Sequence, residues 1–269
     1  MGSSILRFLA PAGALAVLVL PLPSLAGSGD LVGKWTADQG NRQTGQSGFI
    51  RVASTTQAAG GASAGFSYQP PMRGSASSGR IGGGTRGAAD GPSVTLEVLA
   101  PDHAGFTVSA QPTLYWFVSK RIDSDAELTI VDDTSVDPLL ELKLKPPIEP
   151  GIHALSLAEH NVQLKPDVAY QWFVAVVVDP SQRSYDVVAG GEIKRVAQPS
   201  ELAKQIQSVG AQGAPRAYAE AGIWYDALDG LSAQISQRPD DASLRQQRAA
   251  LLDQVGLAEA AKYDRSGTP

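Results

Sequence analysis

Seven charged residues in the second half of the chain have the types and spacing to hold a ligand or a partner. Asp179 and Arg183 lie in a polar turn, residues 179–184, that follows a strongly apolar stretch. An aspartate and an arginine at this spacing can position a polar ligand, although such a pair more often holds its own loop in place. The other five fall in helical patterns, where we expect an exposed face that contacts a partner: Asp226, Asp229, Arg238, Arg245 and Arg248.

Patterns that would signal a catalytic or metal site are weak. The histidines at positions 103, 153 and 160 do not have the H-E-x-x-H spacing of a zinc site. Acidic clusters begin at Asp123 and Asp132, but neither has the spacing and the glycine of an EF-hand calcium loop. Cysteine is absent, which excludes disulfides, thiolate ligands and cysteine nucleophiles. The sequence therefore predicts no catalytic residue, no metal and no cofactor, with a hydrolase of unrecognised site as an alternative.

The net charge and the N-terminal residues indicate which partners and which cellular compartment to expect. The 269 residues carry a formal net charge of −5, which gives no basic field for nucleic acid. Residues 1–26 hold one charge, then an apolar run, then Ser-Leu-Ala, a pattern typical of a cleaved secretory signal. We expect an exported protein, periplasmic or secreted, without a membrane span after cleavage. An uncleaved anchor is the alternative.

Residues 27–90 have the composition of a disordered leader. They contain more than half of the chain's 28 glycines and have little apolar surface to offset the entropy of ordering. The glycine-rich segment 82–87 resembles a phosphate loop, but no strand pattern precedes it and no helix pattern follows it. A flexible junction is the better interpretation of that segment.

Residues 91–198 have the alternation and turn punctuation of a β-sandwich. The central strand, residues 170–178, is β-branched and aromatic almost throughout. Tyr170 and Trp172 follow Leu164 and Pro166 at the spacing of a tyrosine corner, in which a hydroxyl bonds back to the preceding backbone. Trp116 lies in a second core strand. We predict an antiparallel sandwich of the immunoglobulin or fibronectin III type, with an unrelated hairpin as the alternative. Eight strands are expected, at 94–99, 105–108, 113–119, 127–131, 139–144, 152–157, 169–178 and 187–196.

Residues 199–257 change to a helical period, and residues 258–269 are expected to be a flexible tail. Gly222 separates two helix patterns, and Trp224 begins an apolar stripe that includes Leu228. The spacing resembles a tetratricopeptide repeat, but at most one and a half repeats are present, too few for an independent solenoid. The helices must therefore dock on the sandwich or on a partner. We predict that they cap the sandwich, with Trp224 and Leu228 buried.

Several motifs together resemble the bacterial family catalogued as domain of unknown function 928. The resemblance covers residues 68–257 and is most specific at 218–228, YAEAGIWYDAL. Further matching segments are found at residues 70–74, 82–87, 105–113, 170–172, 179–184 and 191–195. The resemblance implies an exported envelope protein of unassigned role, and it supplies no catalytic residue.

These patterns favour a non-enzymatic module that binds another protein. A sandwich that binds a small ligand or a carbohydrate through exposed aromatic residues is an alternative. The two are distinguished by Trp116, Trp172 and Trp224, because burial of all three excludes stacking of a ligand on them. A polar pocket that joins a histidine to Asp179 and Arg183 would favour the enzyme.

Overall fold

Nine β-strands precede four α-helices in the part of the chain that the structure, a computed structural model, describes. The described residues are 66–71, 79–84, 94–132, 135 and 137–267, and all belong to one compact unit, residues 58–269. The strands are β1 (Gly83–Gly84), β2 (Thr95–Val98), β3 (Gly105–Thr107), β4 (Thr113–Val118), β5 (Ala126–Asp132), β6 (Leu140–Leu144), β7 (Gly151–Ser156), β8 (Ala169–Val176) and β9 (Val187–Arg195). The helices are α1 (Ser200–Glu220), α2 (Trp224–Gln237), α3 (Ala242–Gln254) and α4 (Ala258–Ser266).

The strands form two sheets, with the orders β1-β2-β4-β7 and β3-β9-β8-β5-β6. The strand pairs within them are antiparallel, except that β3 runs parallel to β9. The prediction of β-sheets followed by helices is confirmed, and the eight predicted strands correspond to β2–β9. The prediction of a purely antiparallel arrangement is wrong at β3, because the chain passes from the first sheet to the second between β2 and β3.

The central strand, β8, has the alternation that its sequence predicts. Tyr170, Trp172 and Val174 are buried, while the residues between them are half-buried. Trp172 lies opposite Ile130 on β5 and Gly191 on β9. A Cβ atom at Gly191 would come within 2.6 Å of the Ala100 side chain, which indicates how closely the segment after β2 approaches the second sheet. The core of the β region thus forms around β8.

The tyrosine corner has the expected bond with the opposite direction. The backbone N–H of Lys165 donates to the Tyr170 hydroxyl at 3.1 Å, so the hydroxyl is the acceptor rather than the donor. Trp116 lies on β4, in the other sheet, and its ring stacks on His153 at a centroid distance of 5.5 Å. Its indole N–H is buried without a hydrogen-bond partner among the described residues.

One prediction about the helices needs correction. Residues 258–269 are predicted to be a flexible tail, but Ala258–Ser266 form α4, whose Ala260, Ala261 and Asp264 are buried. Gly210, where φ is +65° and the backbone is not helical, kinks α1 and divides it into two helical segments. Gly222 separates α1 from α2, as predicted, and has a φ of +75°. A Cβ atom at this position would lie 2.7 Å from the Gln69 carbonyl oxygen.

The leader is ordered where it meets the helices. Phe66 and Tyr68 are buried, and the Gln254 side chain accepts from the Tyr68 backbone and donates to the Phe66 carbonyl oxygen. Residues 83–84 form β1, at the edge of the first sheet. The high glycine content predicts disorder for the whole segment. Phe66 and Tyr68 nevertheless supply enough apolar area to pack this part of it against the helices. The rest of the 27–90 segment, and residues 1–26, lie outside the described residues.

Candidate functional site

The start of α2 joins the helices to both sheets. The Trp224 indole N–H donates to the Leu99 carbonyl oxygen at 2.8 Å, and Trp224 and Leu228 are completely buried. The Tyr225 hydroxyl accepts from the Trp172 indole at 2.9 Å and donates to the Glu192 carbonyl oxygen at 3.1 Å. The predicted burial of Trp224 and Leu228 is confirmed. These contacts lie within the segment 218–228 that carries the most specific family resemblance.

The two carboxylates of α2 face the β-strands and not the solvent. An Asp226 carboxylate oxygen accepts from the Val108 backbone N–H at 3.1 Å, and Asp229 accepts from the Tyr115 hydroxyl at 2.7 Å. Both residues are half-buried, so the expectation of an exposed partner face is wrong for them. We call Trp224, Tyr225, Asp226 and Asp229 the seam.

The seam encloses a small polar cavity. Its volume is about 40 Å³, and it is lined by side chains that include Thr107, Ser109 and Gln111 beside the two carboxylates. Burial, together with the charge of Asp229, raises the pKa of Asp226 to about 6, although hydrogen bonds from Thr107 and Val108 act to lower it. Burial and the neighbouring Asp229 also raise the pKa of Tyr115 above its usual value. A cavity of this size holds only a few water molecules, so the carboxylates link the helix to the strands and do not receive a substrate.

A larger cleft, of about 270 Å³, lies between β7 and the helices α3 and α4. Arg248 forms two bonds to the Asp264 carboxylate, of 2.6 and 2.7 Å, and a third to the Ser232 hydroxyl at 3.0 Å. Arg248 is 9% exposed, so the expectation of an exposed partner residue is wrong here too. Arg245 is half-buried, lines the same cleft, and makes no ion pair or hydrogen bond within the described residues. We call this the Arg245 cleft.

The floor of the Arg245 cleft is shaped by Tyr263. Its ring packs against Gly151, where a Cβ atom would lie 2.9 Å from the tyrosine oxygen. Its hydroxyl donates to the Pro150 carbonyl oxygen at a long 3.4 Å. His153, on the same strand as Gly151, has its Nε2 atom 2.7 Å from the Glu149 carbonyl oxygen. The cleft therefore combines a guanidinium group that has no partner among the described residues with a weakly bonded hydroxyl.

Asp179 and Arg183 belong to a loop and do not form a pocket with a histidine. Arg183 pairs with Glu127 and with Asp186, each at 2.6 Å. The Arg183 guanidinium lowers the pKa of Glu127. Asp179 accepts from the backbone and the hydroxyl of Ser181, at 2.8 and 2.7 Å. These bonds hold the loop, which is the commoner role of such residues.

The loop also carries exposed apolar side chains. Val178 is 51% exposed, Tyr185 is 58% exposed and Val188 is 36% exposed. All three lie between the end of β8 and the first residues of β9. We call residues 177–188 the hairpin loop. It is a rigidly bonded turn that presents apolar surface to water.

The three tryptophans that could have stacked a ligand are all buried. Trp116 is 4% exposed, and Trp172 and Trp224 are not exposed at all. Stacking of a sugar or another flat ligand on these rings is therefore excluded. Among the described residues, no cluster of three or more histidine, aspartate or glutamate side chains could hold a metal ion. A G-x-S-x-G pattern, which can mark a hydrolase nucleophile, does occur at residues 61–65, outside the described part of the chain.

Sequence patterns did not indicate three of the residues that define these sites. Tyr225 reads as one more apolar position of α2, Tyr185 as a loop residue, and Asp264 as part of a tail. A signal for Asp264 was available, because an alanine-rich segment with alternating charges follows a glycine at position 256.

No helix in the described ranges has both the length and the apolar character that crossing a membrane requires.

The protein is therefore of a class with two β-sheets and a docked helical layer. Within that class the chain belongs to the family described as Domain of Unknown Function (DUF928), whose sequence profile matches residues 81–264. The match begins beside β1 and ends in α4, so it covers both sheets and all four helices. The search of curated proteins finds no match to the chain.

Proposed function

We propose that this is an exported, non-enzymatic protein of the bacterial cell envelope that binds another envelope protein through its hairpin loop. Export rests on the signal-like composition of residues 1–26. The observation that carries the binding role is the exposure of Val178 and Tyr185 on a loop that Arg183 fixes to Glu127 and Asp186. Tyrosine and arginine are enriched at protein interfaces, and a loop ordered before binding loses less entropy on association.

The position of the hairpin loop supports this role, because we infer that the sheets are of the immunoglobulin type. The orders β2-β4-β7 and β9-β8-β5 correspond to the strand orders A-B-E and G-F-C of that fold. Tyr170 has the corner bond, and Trp172 stands two residues later, where antibody domains have their second cysteine. The hairpin loop then corresponds to the F–G loop, one of the loops by which antibodies bind antigen.

We infer further that α1 and α2 are related to a tetratricopeptide helix pair. Small residues permit close packing, since a Cβ atom at Gly230 would lie 2.7 Å from the Pro215 ring. The apolar stripe of α2 is already used against the sheets, with Leu228 and Leu231 buried. In this proposal the helices stabilise the sandwich and leave the partner surface to the hairpin loop.

The test is affinity capture from envelope extracts, followed by mass spectrometry, with the protein and two variants. Tyr185→Ala removes the most exposed aromatic of the hairpin loop, and Val209→Ser removes an apolar side chain of similar exposure on α1. We expect a captured protein that is lost with Tyr185→Ala and retained with Val209→Ser. Equal capture by all three proteins would contradict the role of the hairpin loop.

A further inference from the structure

The Arg245 cleft carries one positive charge that the described residues do not neutralise. Arg245 and Arg248 lie three residues apart on α3 and line the same cavity. Both oxygens of the Asp264 carboxylate are bonded to Arg248, whose remaining Nη1 donates to Ser232. The Arg248–Asp264 pair is therefore internally balanced, and Arg245 is left with its donors available toward the cleft. A half-buried guanidinium group without an acceptor strongly favours an anion.

The size and the walls of the cleft restrict the anion. A volume of about 270 Å³ is slightly below the range of cavities that hold drug-sized ligands. Pro150 and Ile152 form an apolar wall, while Arg245 and the Tyr263 hydroxyl are polar. The 3.4 Å bond of Tyr263 to Pro150 is long enough to be exchanged for a better acceptor. A group about as large as one amino acid, with an apolar part and an acidic end, matches these walls.

The charge of the cleft favours a carboxylate over a phosphate. A carboxylate accepts two parallel N–H bonds from one guanidinium group, and Arg245 supplies that fork. Arg248 already neutralises Asp264, so the cleft offers one uncompensated cation, and a dianion would leave one negative charge unbalanced there. A monoanion meets less repulsion.

We propose that the Arg245 cleft binds a carboxylate-bearing group about the size of one amino-acid residue. The carboxylate lies on the Arg245 guanidinium and accepts from the Tyr263 hydroxyl. The apolar part lies against Pro150 and Ile152. This site shares no residue with the hairpin loop, and it stands whether or not the hairpin loop binds a protein.

The experiment is an NMR titration of the ¹⁵N-labelled full chain with N-acetylalanine. Its neutral isostere, N-acetylalaninamide, and inorganic phosphate are the comparison ligands. We expect saturable shifts of the Gly151, Ile152 and Tyr263 amides with N-acetylalanine, and affinity at least about tenfold lower for the neutral isostere, which lacks the charge-assisted bonds. Shifts that do not saturate, or equal affinity for the isostere, would overturn the proposal. Tighter binding of phosphate would overturn the assignment to a carboxylate.

Two variants assign the binding to Arg245. Arg245→Gln loses no bond within the described residues, so it should fold normally, and we expect its affinity to fall at least about tenfold. Lys262→Gln removes an exposed cation of α4 that does not line the cleft, and its affinity should be unchanged. Arg245→Lys retains the charge but loses the two parallel N–H donors of the guanidinium group. Its affinity should lie between those of Arg245→Gln and Lys262→Gln. Unchanged affinity in Arg245→Gln would refute the site even if binding occurs elsewhere.

Discussion

The seam and the hairpin loop both use charged and aromatic residues, but the two regions expose them very differently. In the seam, Trp224 and Tyr225 are buried and bonded to backbone or indole partners in the β region. In the hairpin loop, Tyr185 is more than half exposed, and the arginine that fixes the turn is 51% exposed. The side chains of the seam are buried in contacts that join the helices to the sheets. The side chains of the hairpin loop are exposed and can contact a partner.

This difference separates residues that stabilise the protein from residues that can bind. Removing a buried partner leaves a cavity or an unpaired polar group, which costs several kcal/mol. Removing an exposed side chain usually changes the free energy of unfolding by less than about 0.5 kcal/mol. Substitutions in the seam should therefore unfold the protein, whereas substitutions in the hairpin loop should change its interactions.

Truncation after Ala197 should have the largest effect. It removes all four helices and exposes side chains that the helices contact, including Tyr115 and Phe117. We expect aggregation, or loss of the cooperative thermal transition, because the apolar area exposed is too large for the remaining core to tolerate. Circular dichroism melting and light scattering measure both outcomes. A soluble fragment with unchanged thermal stability would show that the helices are a separate module.

Trp224→Ala should be the most costly single substitution in the seam. Loss of the buried indole creates a cavity and leaves the Leu99 carbonyl oxygen without its donor, at a cost of roughly 3–5 kcal/mol. Trp224→Phe keeps most of the volume and loses the bond, so it should cost about 1–3 kcal/mol. Urea unfolding measures both free energies. A cost near zero for both variants would show that the seam does not hold the helices in solution.

The sequence predicted the parts of the fold that repeat a local pattern. The β8 alternation and the break at Gly222 can be read from neighbouring residues, because strand and helix periods appear within a few positions. Phe66 and Tyr68 could not be placed in this way, since they bury their rings against helices that are distant in sequence. Arg248 was assigned to the surface because its partner, Asp264, lies 16 residues later in a segment that resembles a tail. Long-range partners decide burial, and composition does not show them.

Asp226→Asn should change the pH dependence of stability. Burial raises the pKa of Asp226 to about 6 in the folded chain, from 3.8, so the folded state binds this proton more tightly. The free energy of unfolding should therefore fall as the pH rises from about 4 to about 6. Asparagine cannot ionise but can still accept from Val108. We expect the variant to lose this slope and to gain up to roughly 2–3 kcal/mol above pH 7.

Urea unfolding at several pH values measures the slope. Asp240→Asn, which changes an exposed aspartate in the turn between α2 and α3, serves as the control and should leave the slope unchanged. If Asp226→Asn is less stable at every pH, the carboxylate contributes more through its bonds than it loses through burial. That result would show that the Asp226 carboxylate stabilises the contact between helix and strands despite its raised pKa.

Arg183→Gln should have the smallest effect on stability and the clearest effect on the hairpin loop. Arg121 provides a matched control, because it is also 51% exposed and also bridges two carboxylates, Asp123 and Glu149. Those carboxylates are themselves exposed, so Arg121→Gln should leave the free energy of unfolding nearly unchanged. The Asp186 side chain, a partner of Arg183, is more buried, since it is 5% exposed and one of its oxygens has no hydrogen-bond partner among the described residues.

Loss of Arg183 would leave the Asp186 carboxylate enclosed without a cation, and the loop must then open to hydrate it. We expect a measurable loss of stability in urea unfolding, larger than that of Arg121→Gln. Hydrogen exchange of residues 178–186 should become faster, with no change in the amides of α2. Because Tyr185 would then be presented by a loose loop, capture of the partner should weaken even though Tyr185 is intact. Exchange rates equal to those of Arg121→Gln would show that Arg183 does not order the loop. The proposal that the hairpin loop is ordered before binding would then be wrong.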